Sequence, residues 1–398
     1  MVPVSFGTFR LVIVGLAVFA QVYLFWRIRR AVRSASGAGR RATLAVALSG
    51  ILIGVLFAAN WHIMYTPIPW VDPPTLAQAI LFYAPAVWGF GSIFSALLLL
   101  IAQTIGGAAR TVVRVYRRLT GPERATPAHP GRRMFLKAGM GGLAAAPFLF
   151  SGYGAAYAGR NHVVEELALP FGCRLRVAQL TDIHAGIFMT RDRMRRYVDQ
   201  VIALKPELFV LTGDYISNST VFFPGFVEEM ARVRTPYGTF ATMGNHEHWY
   251  GQIGYYRHIF EANGIHLLQN EHRVIQTEGG ALAVAGIDDL RWGQPDLEAA
   301  LHGIDPSVPT LLLSHRPEIF PDAAGHRIPL TLAGHYHGGQ VKLSLPGGEL
   351  SLAHLRTPYP EGLYRIGPSH LYVSRGIGTT FTPVRLNAPP EVTLFHLG

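Results

Sequence analysis

Three stretches within the first hundred or so residues contain no charged side chain, and they fix what that part of the chain can become. They are "LVIVGLAVFAQVYLFW" (11–26), "TLAVALSGILIGVLFAANW" (43–61) and "AQAILFYAPAVWGFGSIFSALLLLIA" (77–102). Each is near or above the roughly 17–20 residues a helix needs to cross a bilayer. Inside a bilayer such segments must be helical, because a helix satisfies all its backbone polar groups within itself. Burial in a soluble core is a poor home for three such segments so close together. Residues 1–105 therefore read as three transmembrane helices.

Charge orients them. Residues 1–159 carry 15 Lys and Arg against Asp72 and Glu123 alone, whereas residues 160–398 carry a net −3. Six arginines sit in "RIRRAVRSASGAGRR" between the first two apolar stretches, none in "HIMYTPIPWVDPP" between the second and third. Arginine returns in the basic linker 106–133. The positive-inside bias then places the N-terminus outside and both arginine-rich loops in the cytoplasm. Because the basic excess belongs to these loops, nucleic-acid binding, which a high pI would otherwise suggest, is not expected.

A fourth segment decides where the C-terminal half lies. "GRRMFLKAGMGGLAAAPFLFSGYGAAYA" (131–158) has paired arginines, a mild apolar run and a closing Ala156-Tyr157-Ala158 of the small-residue cleavage type. It resembles a twin-arginine export signal, although it is internal and has Gly131 where Ser or Thr usually stands. The alternative is a fourth transmembrane helix over 134–158. Either reading exports the C-terminal half to the outer side and makes the twin-arginine machinery a candidate partner in the first case; a helix lying on the surface would leave that half inside. Cys173 is the only cysteine. That excludes an intrachain disulfide and any thiolate metal cluster, and its apolar setting reads as a buried, inert thiol.

From residue 160 onward, strand-length apolar runs alternate with helical patterns, which is α/β. "RLRVAQL" (174–180) precedes a helix capped by Thr190, with Met194, Tyr197, Val198, Val201 and Ile202 as its apolar stripe. Further strand runs are "PELFVLTGD" (206–214), "GTFATMG" (238–244), "LAVAGIDD" (282–289), "PTLLLSH" (309–315), "IPLTLAGH" (328–335) and "HLYVSRGIG" (370–378).

Five of these runs finish in metal-capable side chains. Asp182 and His184 follow the first, Asp214 the second and Asn245, His246 and Glu247 the third. His315 follows "LLLS", and His335 and His337 close "LAGHYH". In open α/β sheets the carboxyl ends of strands form the ligand crevice. Carboxylates, an amide and imidazoles together suit Mn, Fe or Zn rather than the all-oxygen cage of calcium. The tail after 335 is expected to be extended, which would put His335 and His337 on opposite faces, one for each of two ions. Neighbouring glycines permit sharp turns and the close approach of a phosphate.

Taken in order, D-x-H, G-D, G-N-H-E, a lone strand-end His and G-H-x-H resemble the calcineurin-like metallophosphoesterase superfamily. "GHYHGGQ", "GIDD" and "VSRGIGTT…PVRLNAPPEVTLFHL" further resemble its membrane-anchored or twin-arginine-exported bacterial phosphodiesterase branch. The resemblance spans about 170–398. It implies a four-layer α/β/β/α sandwich over 160–398, preceded by the transmembrane region. It also implies one divalent ion on Asp182, His184, Asp214 and His337, and a second on Asp214, Asn245, His315 and His335, with Mn, Fe or Zn as candidates. His246 would not bind metal but would stand beside the phosphate as a catalytic residue, stabilising charge or protonating the leaving oxygen. A metal-bridging hydroxide would be the nucleophile.

The expected activity is hydrolysis of a phosphodiester or pyrophosphate bond in an envelope or lipid-linked substrate. Two alternatives stand beside it: a cytoplasmic-face pyrophosphatase of nucleotide-linked lipids, similar to UDP-diacylglucosamine pyrophosphatases, and a membrane sensor that binds without turnover. Around the motifs, Glu247 reads as orienting a neighbouring ligand, His248 as a rim residue, and Asp288 and Asp289 as turn formers. Arg316, Arg375 and Arg385 are candidate phosphate clamps. His162, His258, His272, His326 and His354 read as surface residues.

Overall fold

The computed structural model describes residues 6–66, 75–120, 130–158 and 161–398. Two compact units emerge, Met1–His62 with Ile80–Tyr153, and Ile63–Ala79 with Gly154–Gly398.

The first unit is built on four helices, α1 (Phe6–Ser36), α2 (Arg40–Tyr65), α3 (Leu76–Thr120) and α4 (Pro130–Tyr153). Among the described residues, Arg40–Met64, Ile80–Thr120 and Met134–Ala156 are long and apolar enough to cross a membrane. The first apolar stretch, 11–26, lies in α1, part of whose side chains fall outside the described residues. α1 and α3 meet through small and apolar residues, Ala20, Leu24, Ala96 and Leu99. Gln21 adds polar contacts there: it donates to Ser92 Oγ at 2.8 Å and accepts from Trp88 Nε1 at 2.8 Å. Small residues with side-chain amides are how helices associate where no water drives them together. The stretch Ile80–Thr120 has 41 residues. At the helical rise that is about 60 Å, roughly twice the hydrocarbon thickness. Residues 106–120, read as the start of a linker, are therefore a helical extension carrying Arg110, Arg114, Arg117 and Arg118. The rest of that linker through 129 lies outside the described residues, as do 67–74 and the position that would follow a cleavage after Ala158.

The second unit holds fourteen strands: β1 (Val163–Leu169), β2 (Leu175–Leu180), β3 (Leu208–Thr212), β4 (Thr239–Thr242), β5 (Ile265–Leu267), β6 (Glu271–Thr277), β7 (Gly280–Gly286), β8 (Thr310–Leu313), β9 (Leu330–Ala333), β10 (Leu343–Leu345), β11 (Gly348–Leu350), β12 (Gly362–Ile366), β13 (Ser369–Val373) and β14 (Glu391–Leu397). Its helices are α5 (Arg191–Ala203), α6 (Phe223–Met230), α7 (Asn245–Tyr250), α8 (Ile253–Ala262), α9 (Leu297–Leu301) and α10 (Phe320–Gly325). One six-stranded sheet runs β1-β14-β2-β3-β4-β5, the other β12-β13-β9-β8-β7-β6.

The two sheets face each other. Val177, Val210 and Phe240 of the first pack against Val284, Leu311 and Leu332 of the second. On the outer side of the first sheet, Met194 (α5), Phe226 (α6) and Phe260 (α8) cover Leu180 and Leu211. On the outer side of the second, Ala300 (α9) and Ala323 (α10) cover Ala285 and Leu312. The result is α/β/β/α. Buried on both faces, β3, β8 and β9 need no apolar–polar alternation, which is why their sequences show none.

Thr190 caps α5 by accepting from the Arg193 N–H. Met194, Tyr197, Val198 and Val201 are buried as expected, but Ile202 is exposed, because the stripe rotates off the sheet at the last turn. Cys173 is buried just before β2, its Sγ 3.2 Å from Thr277 Oγ1. β2, β3 and β4 are mutually parallel, as are β7, β8, β9 and β13, so every motif residue leaves the carboxyl end of one of these strands.

Candidate metal centre

The strand ends turn abruptly to present their side chains. Asp182, His184, Asp214, His335 and His337 all have φ between 50° and 76°. A non-glycine residue there costs about 1–2 kcal/mol, and such strain persists only where the surroundings over-determine it. This corrects the expected extended tail. His335 turns left-handed, and His337 opens a short 3-10 turn through Gly339. His335 and His337 diverge because the chain winds between them, not because a strand alternates. Gly213 is required at its place: with φ 93°, a Cβ would come within 2.7 Å of His315 Nδ1 and 2.8 Å of the Gly244 backbone.

The side chains gather in two groups that meet on one carboxylate. On one side, His184 Nε2 lies 3.1 Å from His337 Nε2, and His337 Nε2 lies 3.2 Å from Asp182 Oδ1. On the other, His315 Nε2 lies 3.1 Å from His335 Nδ1. Asp214 Oδ2 stands between, 3.7 Å from His184 Nε2 and 3.3 Å from His315 Nε2. Asn245 joins the second side, where its Oδ1 accepts from Arg316 at 3.0 Å while Arg316 Nη1 is 2.6 Å from His335 Nε2. Imidazole nitrogens at such separations, converging with buried carboxylate oxygens, are a donor set suited to divalent cations. Six of the seven residues expected from the motifs thus lie in donor groups that could hold a metal ion, and Asn245 stands beside them through Arg316.

The electrostatics agree with that use. Burial pushes His184 down to about 3 and holds His335 and His337 well below the ordinary histidine value, so their lone pairs stay available. Burial also raises Asp182, to about 6. Burial opposes charge on His315, yet the Asp214, Asp182 and Asp289 carboxylates push it up to about 10. It therefore holds a proton beside Asp214 that a cation in the same place would displace.

His246 also comes within ligand reach of His184 and Asp214, and the three form a further buried donor group. Its Nδ1 lies 2.7 Å from the Ser217 carbonyl, and its Nε2 lies 3.9 Å from Asp214 Oδ2. Its backbone N–H donates to Asp214 Oδ1 at 2.9 Å.

Glu247 does what its spacing suggested, through the backbone. Its buried carboxylate accepts from the N–H groups of Asp214 (3.0 Å), Tyr215 (2.8 Å), Ile216 (3.3 Å) and Gly244 (3.0 Å).

The three candidate phosphate clamps separate. Arg385 is fully buried and donates to the carbonyls of Gly378, Ala388, Arg375 and Gly376. Arg375 pairs with Glu391 at 2.8 Å and with Glu165. Arg375 is thus held by carboxylates of the fold, and Arg385 is held mainly by backbone carbonyls of its own loop. Arg316 lies at the cluster, anchored to Asp289 by Nε–Oδ2 at 2.8 Å, and Arg385 Nη2 also reaches it, 3.2 Å from His337 Nδ1.

Two aromatic residues escaped the sequence reading. Trp249 lies 4.6 Å, centroid to centroid, from His246, and Trp292 meets Trp249 edge-on at 5.7 Å. The helical spacing of His246 and Trp249 was a usable signal. The place of Trp292 was not legible. It depends on Asp289, whose Oδ1 accepts the Arg291 and Trp292 N–H groups and whose Oδ2 holds Arg316.

His248 is a rim residue with a defined partner, Asp288, at Nε2–Oδ1 2.6 Å. Burial opposes ionisation of both. The His248 bond, with the Gln294 N–H and Gln269, brings Asp288 down to about 2, while Asp288 raises His248. Asp288 therefore contributes stability that is lost as pH falls from about 4 toward 2. His248 contributes stability that is present below about 6.5 and lost as pH rises through its elevated value. His248→Asn is expected to lower the Tm most between about pH 4 and 6.5, by a few degrees, with wild type and variant converging above that window. Fluorescence-monitored melts of both proteins across pH 3–9 check it; a pH-independent difference would remove the ion pair from the account.

Comparison with known proteins places this geometry. The calcineurin-like phosphoesterase family profile matches residues 175–345. A metallophosphoesterase of Bacillus subtilis, YkuE, is 30% identical over 279 residues, which cover 67% of this chain and 97% of that protein. A second B. subtilis metallophosphoesterase, YkoQ, is 28% identical, covering 57% of this chain and 85% of its own length. The zebrafish (Danio rerio) transmembrane protein with metallophosphoesterase domain is 30% identical over 55% of this chain, which spans about half of that relative's length (52%). Carrying the donor set at its strand ends and matching YkuE over nearly its whole length, the chain belongs to the calcineurin-like metallophosphoesterase family and is a metal-dependent phosphoesterase.

Proposed function

We propose that the chain is a membrane-anchored phosphodiesterase that cleaves a phosphodiester or pyrophosphate bond in an envelope or membrane-associated substrate. The observation that carries this reading is the sharing of Asp214 by two groups of buried nitrogen and oxygen donors, with His246 beside them. Asp182, His184, Asp214 and His337 would hold one divalent ion, Mn first among the candidates. Asp214, Asn245, His315 and His335 would hold the other. When bound, two such ions supply Lewis acidity toward phosphate oxygens and depress the pKa of water.

The chain's own residues do the rest. Glu247 fixes the turn that aims Asp214. Arg316, held by Asp289, brings a positive charge to the Asn245–His335 side, where an anionic phosphate would be met. The Ser217 carbonyl holds His246 Nδ1 and turns Nε2 toward the cluster. Burial lowers the His246 pKa; an anionic phosphate alongside would raise it, and the protonated ring would then give its Nε2 proton to the leaving oxygen.

His246→Asn is therefore expected to lower kcat/KM about 10²-fold or more for diesters with alkyl leaving groups. Aryl diesters with acidic phenol leaving groups, which depart without a proton, should stay near wild type. A leaving-group series measured on the Mn-loaded full chain checks this; equal losses across the series would end the acid role. If wild type carrying two metals were as inert as Asp214→Asn, the sensor reading would replace the enzyme one.

The outward placement of the catalytic unit rests on arginine-rich loops flanking charge-free helices. A reporter active on one side of the membrane, fused at the C-terminus, tests it. Signal from inside would favour a nucleotide-linked lipid pyrophosphatase instead, and would discard the twin-arginine reading.

A further inference from the structure

The segment that leaves the metal-centre turn exposes a cluster of leucines. β10 and β11 pair antiparallel, with Leu343 opposite Leu350, Ser344 opposite Glu349 and Leu345 opposite Gly348. Residues alternate faces along a strand and share a face across a pair. One face of the hairpin is therefore Leu343, Leu345 and Leu350, and the other Ser344 and Glu349. Glu349 binds Lys342 at 2.6 Å, and Lys342, almost fully buried, also bonds Glu361. Lys342, on the Ser344–Glu349 side, thus ties that side to the fold, while the leucine side makes no such tie and every residue of the two strands is exposed.

All three leucines are exposed, and Leu352 (67%) and Leu355 (76%) extend the apolar surface just beyond the hairpin. An exposed apolar cluster of this kind marks a contact surface, and a two-stranded hairpin is marginal without one. The hairpin also starts and ends at the site. Lys342 follows the His337–Gly339 turn by three residues, and a Cβ on Gly339 would lie 2.3 Å from Ser351 Oγ.

We infer that the leucine face of the β10–β11 hairpin, with Leu352 and Leu355, enters the surface of a lipid bilayer. The chain's composition argues for this occupant: three of its helices are long and apolar enough to cross a membrane, so the catalytic unit is tethered to lipid. A second copy is the weaker occupant, since five leucines fall short of the roughly 800 Å² per partner of a stable interface. The inference deepens the phosphodiesterase reading, on which its activity arm rests, because lipid docking beside the site would present phosphoesters borne by membrane lipids.

The decisive measurement uses the full chain in nanodiscs with Cys173→Ser and an environment-sensitive fluorophore on Leu345→Cys, against the same label on Ser307→Cys, an exposed site elsewhere in this unit. The expected result is quenching by nitroxide-bearing lipids at 345 but not at 307, with iodide quenching reduced severalfold at 345. Equal iodide access at both sites with no lipid quenching overturns the proposal. Protection from iodide without lipid quenching, present only when two chains share a disc, overturns it in favour of a second copy. In parallel, the triple variant Leu343→Gln, Leu345→Gln, Leu350→Gln is expected to raise KM severalfold for a phosphodiester lipid in bilayers and to leave kcat/KM for a soluble aryl diester unchanged. Loss of all activity in wild type would sink the phosphodiesterase reading while leaving the quenching result to decide the docking.

Discussion

Asp214→Asn is expected to abolish hydrolysis while leaving the fold standing. Asparagine keeps the shape of aspartate and tolerates the left-handed backbone that Asp214 adopts at φ 54°. Its side-chain oxygen can still accept from the His246 N–H, as Asp214 Oδ1 does at 2.9 Å. What it lacks is the second charged oxygen, Oδ2, which lies between His184 and His315. Removing a charge shared by two cation sites weakens both. With several kcal/mol of charge stabilisation resting on each ion, the rate should fall by about 10⁴-fold or more. Elemental analysis of the purified protein should show fewer than two ions per chain, with a Tm close to wild type in the presence of chelator. A variant that kept two ions and a rate near wild type would remove Asp214 from the shared position.

Glu247→Ala is the complementary case, with the largest expected loss of stability and no direct contact with substrate. The carboxylate is fully buried and satisfies four backbone N–H groups that bracket Asp214 and Asn245. Alanine would leave those donors facing a cavity, and each unsatisfied buried donor costs roughly 1–3 kcal/mol before water enters. A net loss of about 3–5 kcal/mol follows from comparison with breaking buried charged contacts, a large share of a domain's total stability. For a unit of this size the Tm should drop by about 10 °C, and metal affinity by 10–100-fold, as when any partner that orients a ligand is lost. Glu247→Gln keeps one acceptor oxygen and should fall between wild type and alanine. Thermal melts with and without metal check both variants. A Tm within a degree of wild type for Glu247→Ala would show that the turn at Asp214 is held by other contacts.

Much of the site was legible in the sequence because its logic is local. A run such as "ELFVLTGD" states both that a strand is buried on two faces and where it stops, and a polar residue at that stop must face the sheet edge. Thr190 as a cap, and Met194, Tyr197, Val198 and Val201 as the buried stripe of α5, follow the same kind of rule. Ile202 did not, since the width of a buried stripe depends on how closely the sheet approaches the last turn. The strands β1, β5, β6, β10, β11, β12 and β14 were not recognised. β1, β6 and β12 carry exposed and partly buried positions together, and β14 joins the first sheet between β1 and β2 from the far end of the chain.

By itself the sequence determined the apolar helices, the α/β alternation, and the placing of seven donor-capable residues and His246 at strand ends, since each depends on the order and polarity of a few consecutive residues. Only the tertiary structure decided how those residues are used. Arg375 looked like a clamp until Glu165 and Glu391 appeared beside it, Arg385 until its bonds to nearby loop carbonyls appeared, and Arg316 was no better a candidate until Asp289 held it against Asn245. The left-handed turn at His335 and the four N–H bonds to Glu247 are likewise set by neighbours remote in sequence. A side chain's type records which bonds it can make. The bonds it does make depend on which distant groups the packing of two sheets brings within about 3 Å of it.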